Sequence, residues 1–317
     1  MNGSANGPGN GPGNGLGNGP SNGIARSSAD GTEIHDRGYR KYEGVRSGVA
    51  GAVRSLAWQT IRSTLGLGRP ARHKVFPVIV VVIAALPAVV LVGVAVLFGD
   101  LGNGSEIKYS ALFGYSVLPI LLFASMVAPE ALVRDRRDGM FSLYLSTPLT
   151  RSTYLGAKVL AVLAVMMIIA LGPVLLALAG YTVAGDGPPG FVDWLEVFLR
   201  LTAGSLVISA VMTAVAMAGA SVTDRRAFAS VAVVLVVLGG TTVSEILINA
   251  ADFSNVYGLL NPLATAGEAV TRILGEVSDQ SQSLWETDTA IVALGAAAWF
   301  AAGAAVVGYK YRKLEAT

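Results

Sequence analysis

The residues of this chain best suited to chemistry crowd into one stretch, APEALVRDRRDGMFSLYLSTPLTRSTYLGAK, from Ala128 to Lys158. Glu130, Arg134, Asp135, Arg136, Arg137 and Asp138 come first, and Gly139 closes the charged part. Met140, Phe141, Leu143, Tyr144 and Leu145 then make an amphipathic piece that runs to Ser146-Thr147-Pro148, with Arg151 beyond it. Glycine permits a turn and proline stops a helical run, so the pattern predicts a short interfacial helix that presents charges. As a bare pattern it fits equally well any positively charged loop on the inner side of a membrane. Two further charges, Arg200 and Glu245, stand at the ends of apolar runs. They can pair with each other in a low dielectric, or each can snorkel to water.

Other chemistries lack their residues. The chain has no cysteine, which excludes disulfides, thiol chemistry and cysteine metal sites. Its two histidines, His35 and His73, lie outside the apolar runs. No G-x-x-x-x-G-K-[ST] loop occurs to cradle a phosphate, and neither H-E-x-x-H nor G-x-S-x-G is present. We therefore expect no catalytic, cofactor-binding or metal-binding residues in this chain, and no nucleic-acid partner.

The elements that must position the charged stretch are apolar helices. Of 317 residues, 53% are hydrophobic and 14% charged, against roughly a quarter charged in an ordinary soluble domain. Charge-free runs cover Val75–Gly99, Tyr109–Pro129, Val159–Gly185, Leu201–Thr223, Ala227–Ser244 and Thr289–Tyr309. A helix rises about 1.5 Å per residue, so about 20 residues cross a hydrocarbon core. The expected class is an all-α integral membrane protein with six spans, near 75–99, 109–129, 157–181, 200–222, 227–248 and 288–309. Helices are required because lipid offers the backbone no partners, and the alternation of membrane strands is absent.

Basic residues orient the spans. With the N-terminus inside, 20 of the 23 lysines and arginines fall on the cytoplasmic side, and only Lys108, Arg200 and Arg272 fall outside. Both termini are then cytoplasmic. Residues 1–31 are dominated by Asn, Gly and Pro and are expected to be disordered. Residues 32–74 form a charged cytoplasmic segment. Within it Val53, Leu56, Ala57, Ile61 and Leu65 share one face of a helix near 50–67, which reads as amphipathic and interfacial. Prolines at 77, 87, 119 and 173 and small residues at 204–221 and 295–305 are read as ordinary membrane-helix packing. Seventeen arginines against six lysines point to a GC-rich, actinobacterial-like source and so to a bacterial cytoplasmic membrane.

The stretch after the second span resembles the coupling region of ABC type-2 permeases. The matching residues are Asp138, Gly139, Leu143, Leu145, Thr147, Pro148, Leu149, Arg151, Gly156 and Lys158. Relatives often carry Gly-Thr-Leu-Glu where this chain has Gly-Met-Phe-Ser, and a glutamate where it has Arg136. A second match, YGLLNPLATAGEAVTRILGE at 257–276, falls where the family places short outer re-entrant or interfacial helices. The resemblance implies a permease subunit of an exporter that works as a homodimer or heterodimer. Two separate ATPase subunits would bind the ATP and Mg, and residues 130–148 would receive their movement. The spans carry no midplane charge or inverted repeat, which disfavours an ion-coupled secondary transporter. A non-transporting scaffold or sensor subunit is disfavoured only weakly. The cargo is not written in the sequence.

Overall fold

The computed structural model describes residues 48–68, 70–71, 74–98, 108–276, 284 and 286–313. The Asn/Gly/Pro tail and residues 32–47 lie outside them. All regular structure among the described residues is helical. Six helical segments of the described residues are long and apolar enough to cross a membrane: Val75–Leu97, Val117–Arg137, Arg151–Ala184, Phe191–Val222, Arg226–Ala250 and Thr289–Arg312.

The first helix, α1 (Gly48–Thr64), precedes the spans. It buries Leu56 and Thr60 and packs Val53, Ala57, Ile61 and Leu65 on the core, while Trp58 stays exposed. The expected apolar face therefore covers protein, chiefly the third span, and only its margin is left for an interface. The first span is α2 (Val75–Phe98), which runs through Pro87 without a break.

The second span departs from the run read in the sequence. Residues 109–115 form a separate helix, α3 (Tyr109–Tyr115), which ends at Ser116. Pro119 explains the break, since its ring would meet the carbonyl of Tyr115 and it has no N–H to donate. The span proper begins with α4 (Val117–Ala128). At Pro129 the same missing donor shifts the ladder to one π turn, Pro129–Val133, whose first carbonyl accepts from the Arg134 N–H. Helix α5 (Arg134–Arg137) completes it. Residues 130–137, expected in a loop, thus extend the second span and leave 138–150 as the connection. Within that connection lies α6 (Met140–Leu145).

The third span, α7 (Arg151–Ala184), starts earlier than expected because Thr150 caps it in a reciprocal box with Thr153. Its 34 residues extend about 51 Å, so its ends project beyond a ~30 Å hydrocarbon core. The fourth span, α8 (Phe191–Val222), also begins early. The fifth is α9 (Arg226–Glu245) with a π turn at Ile246–Ala250. A 3₁₀ segment, Asn255–Leu260, leads into α10 (Pro262–Leu274). Asn261 caps α10 through bonds from the Leu263 and Ala264 N–H groups, and Pro262 suits its first position. The sixth span is α11 (Thr289–Lys313).

Helices α4 and α8 are mostly buried and form the centre; α2, α9 and α11 expose most of their apolar surface. Such surface is stable only against lipid or another protein. Close packing needs small residues at the crossings: a Cβ at Gly303 would stand 2.6 Å from the Ala214 carbonyl oxygen.

Candidate functional site

Helices α5 and α6, the α8–α9 turn and the last turns of α11 meet at one end of the bundle, here called the basic end. Gly139 makes the turn between α5 and α6. Its φ of +65° is a conformation that a side chain disfavours. Of the described α6 side chains, Met140 and Leu143 are exposed (Leu143 by 58%) and Tyr144 packs against the core. Arg137, Asp138 and Pro148 are exposed, Arg151 is half-buried, and Leu145 ends the helix. The exposed part of the stretch is therefore short.

The remaining predicted residues are turned into the protein. Asp135 is only 8% exposed and Lys158 only 3%. The Lys158 ammonium lies 2.7 Å from Asp135 Oδ2, and the Tyr154 hydroxyl donates to the same oxygen at 2.9 Å. Tyr154 and Lys158 are one turn apart on α7, so both reach α5 from one face. The Lys158 ammonium also sits 5.8 Å from the centre of the Tyr144 ring and 5.7 Å from that of Tyr154. The two rings are 5.6 Å apart. Burial and the nearby Asp135 carboxylate raise the Tyr144 pKa, so this phenol stays neutral. Removing one member of such a pair costs about 3–5 kcal/mol, because the other charge stays in a dry site.

Arg136 performs a different task. Its guanidinium donates to the carbonyls of Ser221 (3.0 Å), Ala220 and Thr223 (2.7 Å), with Nε 3.5 Å from Asp224 Oδ1. These are carbonyls that the end of α8 leaves without intrahelical donors, at the negative pole of its dipole. Its planar head also lies 5.9 Å over the Tyr311 ring of α11. Glu130 accepts from Arg134 at 3.0 Å and from Arg226 at 2.8 Å, and Arg134 reaches Asp138 at 3.5 Å. The second span is thereby joined to the third, the fourth, the fifth and the sixth.

Arg200 and Glu245 are not brought together. Arg200 pairs with Glu196 one turn back and donates to the Leu274 carbonyl at 3.0 Å, while Glu245 accepts from Asn249. The early start of α8 supplies the reason, since it places Glu196 on the same helix face as Arg200. The same device recurs at Arg272, which pairs with the buried Glu268 at 3.0 Å and donates to the Leu284 and Thr287 carbonyls. Nearby, an apolar groove of about 440 Å³ opens between α8, α10 and α11, lined by Val207, Val211, Ile273, Val292 and Phe300.

The sequence places Lys158 among the residues matching the coupling region but assigns it no partner, and leaves Tyr144, Tyr154, Asp224 and Arg226 out of the site. One signal was available: Tyr154 and Lys158 sit at helical spacing on the far side of the stretch that carries Asp135.

Among the described residues the geometry is that of a six-span, all-helical membrane component with a dense charge network at one end, where charges join helices. Residues 76–306 match the family described as ABC-2 family transporter protein, and the chain belongs to it. It is therefore a non-catalytic, multi-pass membrane component of an ABC-2 transporter, and its family pairs with ATPase subunits. A search of curated proteins returns no match.

Proposed function

We propose that this chain is the permease half of an ATP-driven exporter in a bacterial plasma membrane. Two copies enclose the path, and two ATPase subunits dock at the basic end, which faces the cytoplasm. ATP and Mg are held by those partners. The observation that carries this reading is α6: a short helix, bounded by a left-handed glycine and a proline, that holds Met140 and Leu143 out toward solvent. Behind it stands the network of Asp135, Arg136 and Lys158, so a push on α6 meets a firm support. ATP binding to the motor moves the permease only if docking differs in free energy between the permease states.

The test is co-purification with the cognate ATPase, followed by cross-linking. The chain has no native cysteine, so Leu143→Cys places one thiol on the outward face of α6. Cross-linking to the ATPase, and loss of permease-dependent ATP hydrolysis in Gly139→Pro, are expected. Proline cannot adopt φ +65°, so that variant must redirect α6. A permease that binds the ATPase equally well after Gly139→Pro and after reversal of Arg137 and Asp138 would remove α6 from the docking surface.

A further inference from the structure

We propose that Tyr144, Lys158 and Asp135 form the joint through which movement of α6 reaches the third span, with Lys158 as the positioning residue at its centre. The inference rests on the reading of α6 as the ATPase-facing helix. One ammonium touches three elements: Asp135 on α5 at 2.7 Å, the Tyr144 ring of α6 at 5.8 Å, and the Tyr154 ring on its own helix at 5.7 Å. Tyr144 is the described α6 side chain that turns inward, while Met140 and Leu143 turn out. Gly139 lets α6 tilt against α5, because the backbone there is already in the region only glycine enters freely.

A tilt of α6 then has two outcomes. Either Tyr144 stays over the ammonium and α7 follows, or the ring leaves and an ammonium that is 3% exposed loses a favourable face. The second outcome is opposed by burial, since an ammonium in so buried a site depends on the groups packed around it. The exposed charges nearby, Arg137 and Asp138, cannot take over this role. Solvent and salt screen both, and the contact of Asp138 with Arg134 stays within the second span. Asp135 holds the ammonium in place and Tyr154 holds the carboxylate, so the joint is built to keep one geometry. Tyr154 and Lys158 lie in the first turns of α7, whose far end at Ala184 is the opposite end of the bundle.

The experiment uses the full chain with its cognate ATPase in lipid nanodiscs, with ATP and Mg as the trigger. An environment-sensitive fluorophore is placed on Leu143→Cys to read α6, or on Val183→Cys to read the far end of α7. Both sites are exposed. The readout is the ratio of the far response to the α6 response on adding ATP. Tyr144→Leu and the neutral pair Asp135→Asn with Lys158→Gln are expected to lower that ratio about fivefold. Tyr144→Phe keeps the ring and should keep the ratio, which a purely structural hydroxyl role would not allow. An unchanged ratio in Tyr144→Leu overturns the joint. Should the neutral pair fail to assemble, Tyr144→Leu, at a half-buried site, decides alone. If the unaltered chain binds no ATPase, or its α6 label is silent to ATP, the docking reading itself fails, and that is seen before any joint variant is made.

Discussion

The two ends of this bundle use charge differently. At the basic end, side chains from separate helices meet: Asp135 with Lys158, Glu130 with Arg226, Arg136 with the end of α8. At the opposite end, Arg200 and Arg272 each take a glutamate one turn back on their own helix and spend their remaining donors on the Leu274 carbonyl at the end of α10, the Leu284 and Thr287 carbonyls and the Thr289 hydroxyl. Glu276 does the complementary thing, accepting from the Tyr109 and Ser110 N–H groups at the start of α3. A pair within one helix holds the arginine in place and does not itself set the relation of one span to another. Pairs between helices set the relation of one span to another. Ion pairs therefore link span to span at the basic end, and at the opposite end they hold side chains that fasten short elements in place.

The largest effect should come from breaking the buried pair. Lys158→Met leaves the Asp135 carboxylate in a dry site and should cost about 3–5 kcal/mol, read as a lowered unfolding midpoint in detergent. Adding Asp135→Leu to the same chain should restore most of that loss, since two apolar groups replace two charges. A double variant as unstable as the single one would show that these residues matter for shape and not for charge. Next in size is Arg136→Ala, which removes the donor from three carbonyls at the end of α8. Charge-assisted bonds of this kind are worth about 1.5–3 kcal/mol, and Arg136→Lys should recover only part, because an ammonium lacks the planar fork. Arg200→Ala, at the opposite end, should cost no more than about 1 kcal/mol, since its ion pair is exposed. Equal losses at Arg136 and Arg200 would break the distinction between the two ends.

The spans were legible because lipid imposes a single strong rule on length and polarity, and the deviations follow from what hydropathy does not weigh. Proline chemistry at Pro119 and Pro129 moved the second span seven residues or more toward the charged stretch. The Thr150 cap and the Glu196–Arg200 pair lengthened α7 and α8 beyond their apolar runs. Hydropathy stops at the first charge, whereas a helix stops where its caps are. The site was half legible. Its surface part, Gly139 to Pro148, showed in turn chemistry and amphipathic spacing. Its buried part did not, because Asp135 and Lys158 look like two loop charges until the helices that carry them are placed side by side. Arg136 is the clearest case: read in the sequence as one more loop charge, it caps the end of a helix that begins 55 residues later.

Smaller effects test the opposite end. Glu276→Gln keeps the shape of the α3 cap but removes its charge, and should cost about 1 kcal/mol at most. The least of them is a pH effect at the same place. Tyr109 lies outside the spans, at the start of α3, and its pKa is pushed up to about 12 by burial, with Tyr181 and Glu276 adding to the shift. Asp193, Glu196 and Arg200 border the same recess. In the unfolded chain the phenol titrates near 10, so between about 10 and 12 the unfolded state has lost a proton that the folded state keeps. The contribution is therefore fully present below pH 10 and declines as pH rises through the folded value. Unfolding midpoints measured at pH 9, 10 and 11 should fall with pH, and Tyr109→Phe should flatten that slope. Glu276→Gln should leave the onset of the slope near pH 10 but end it at lower pH, because with the carboxylate gone the folded phenol ionises more easily and the gap between folded and unfolded values narrows. A slope that is steeper in Glu276→Gln than in the unaltered chain would show that the cap, and not burial, holds α3 against alkali.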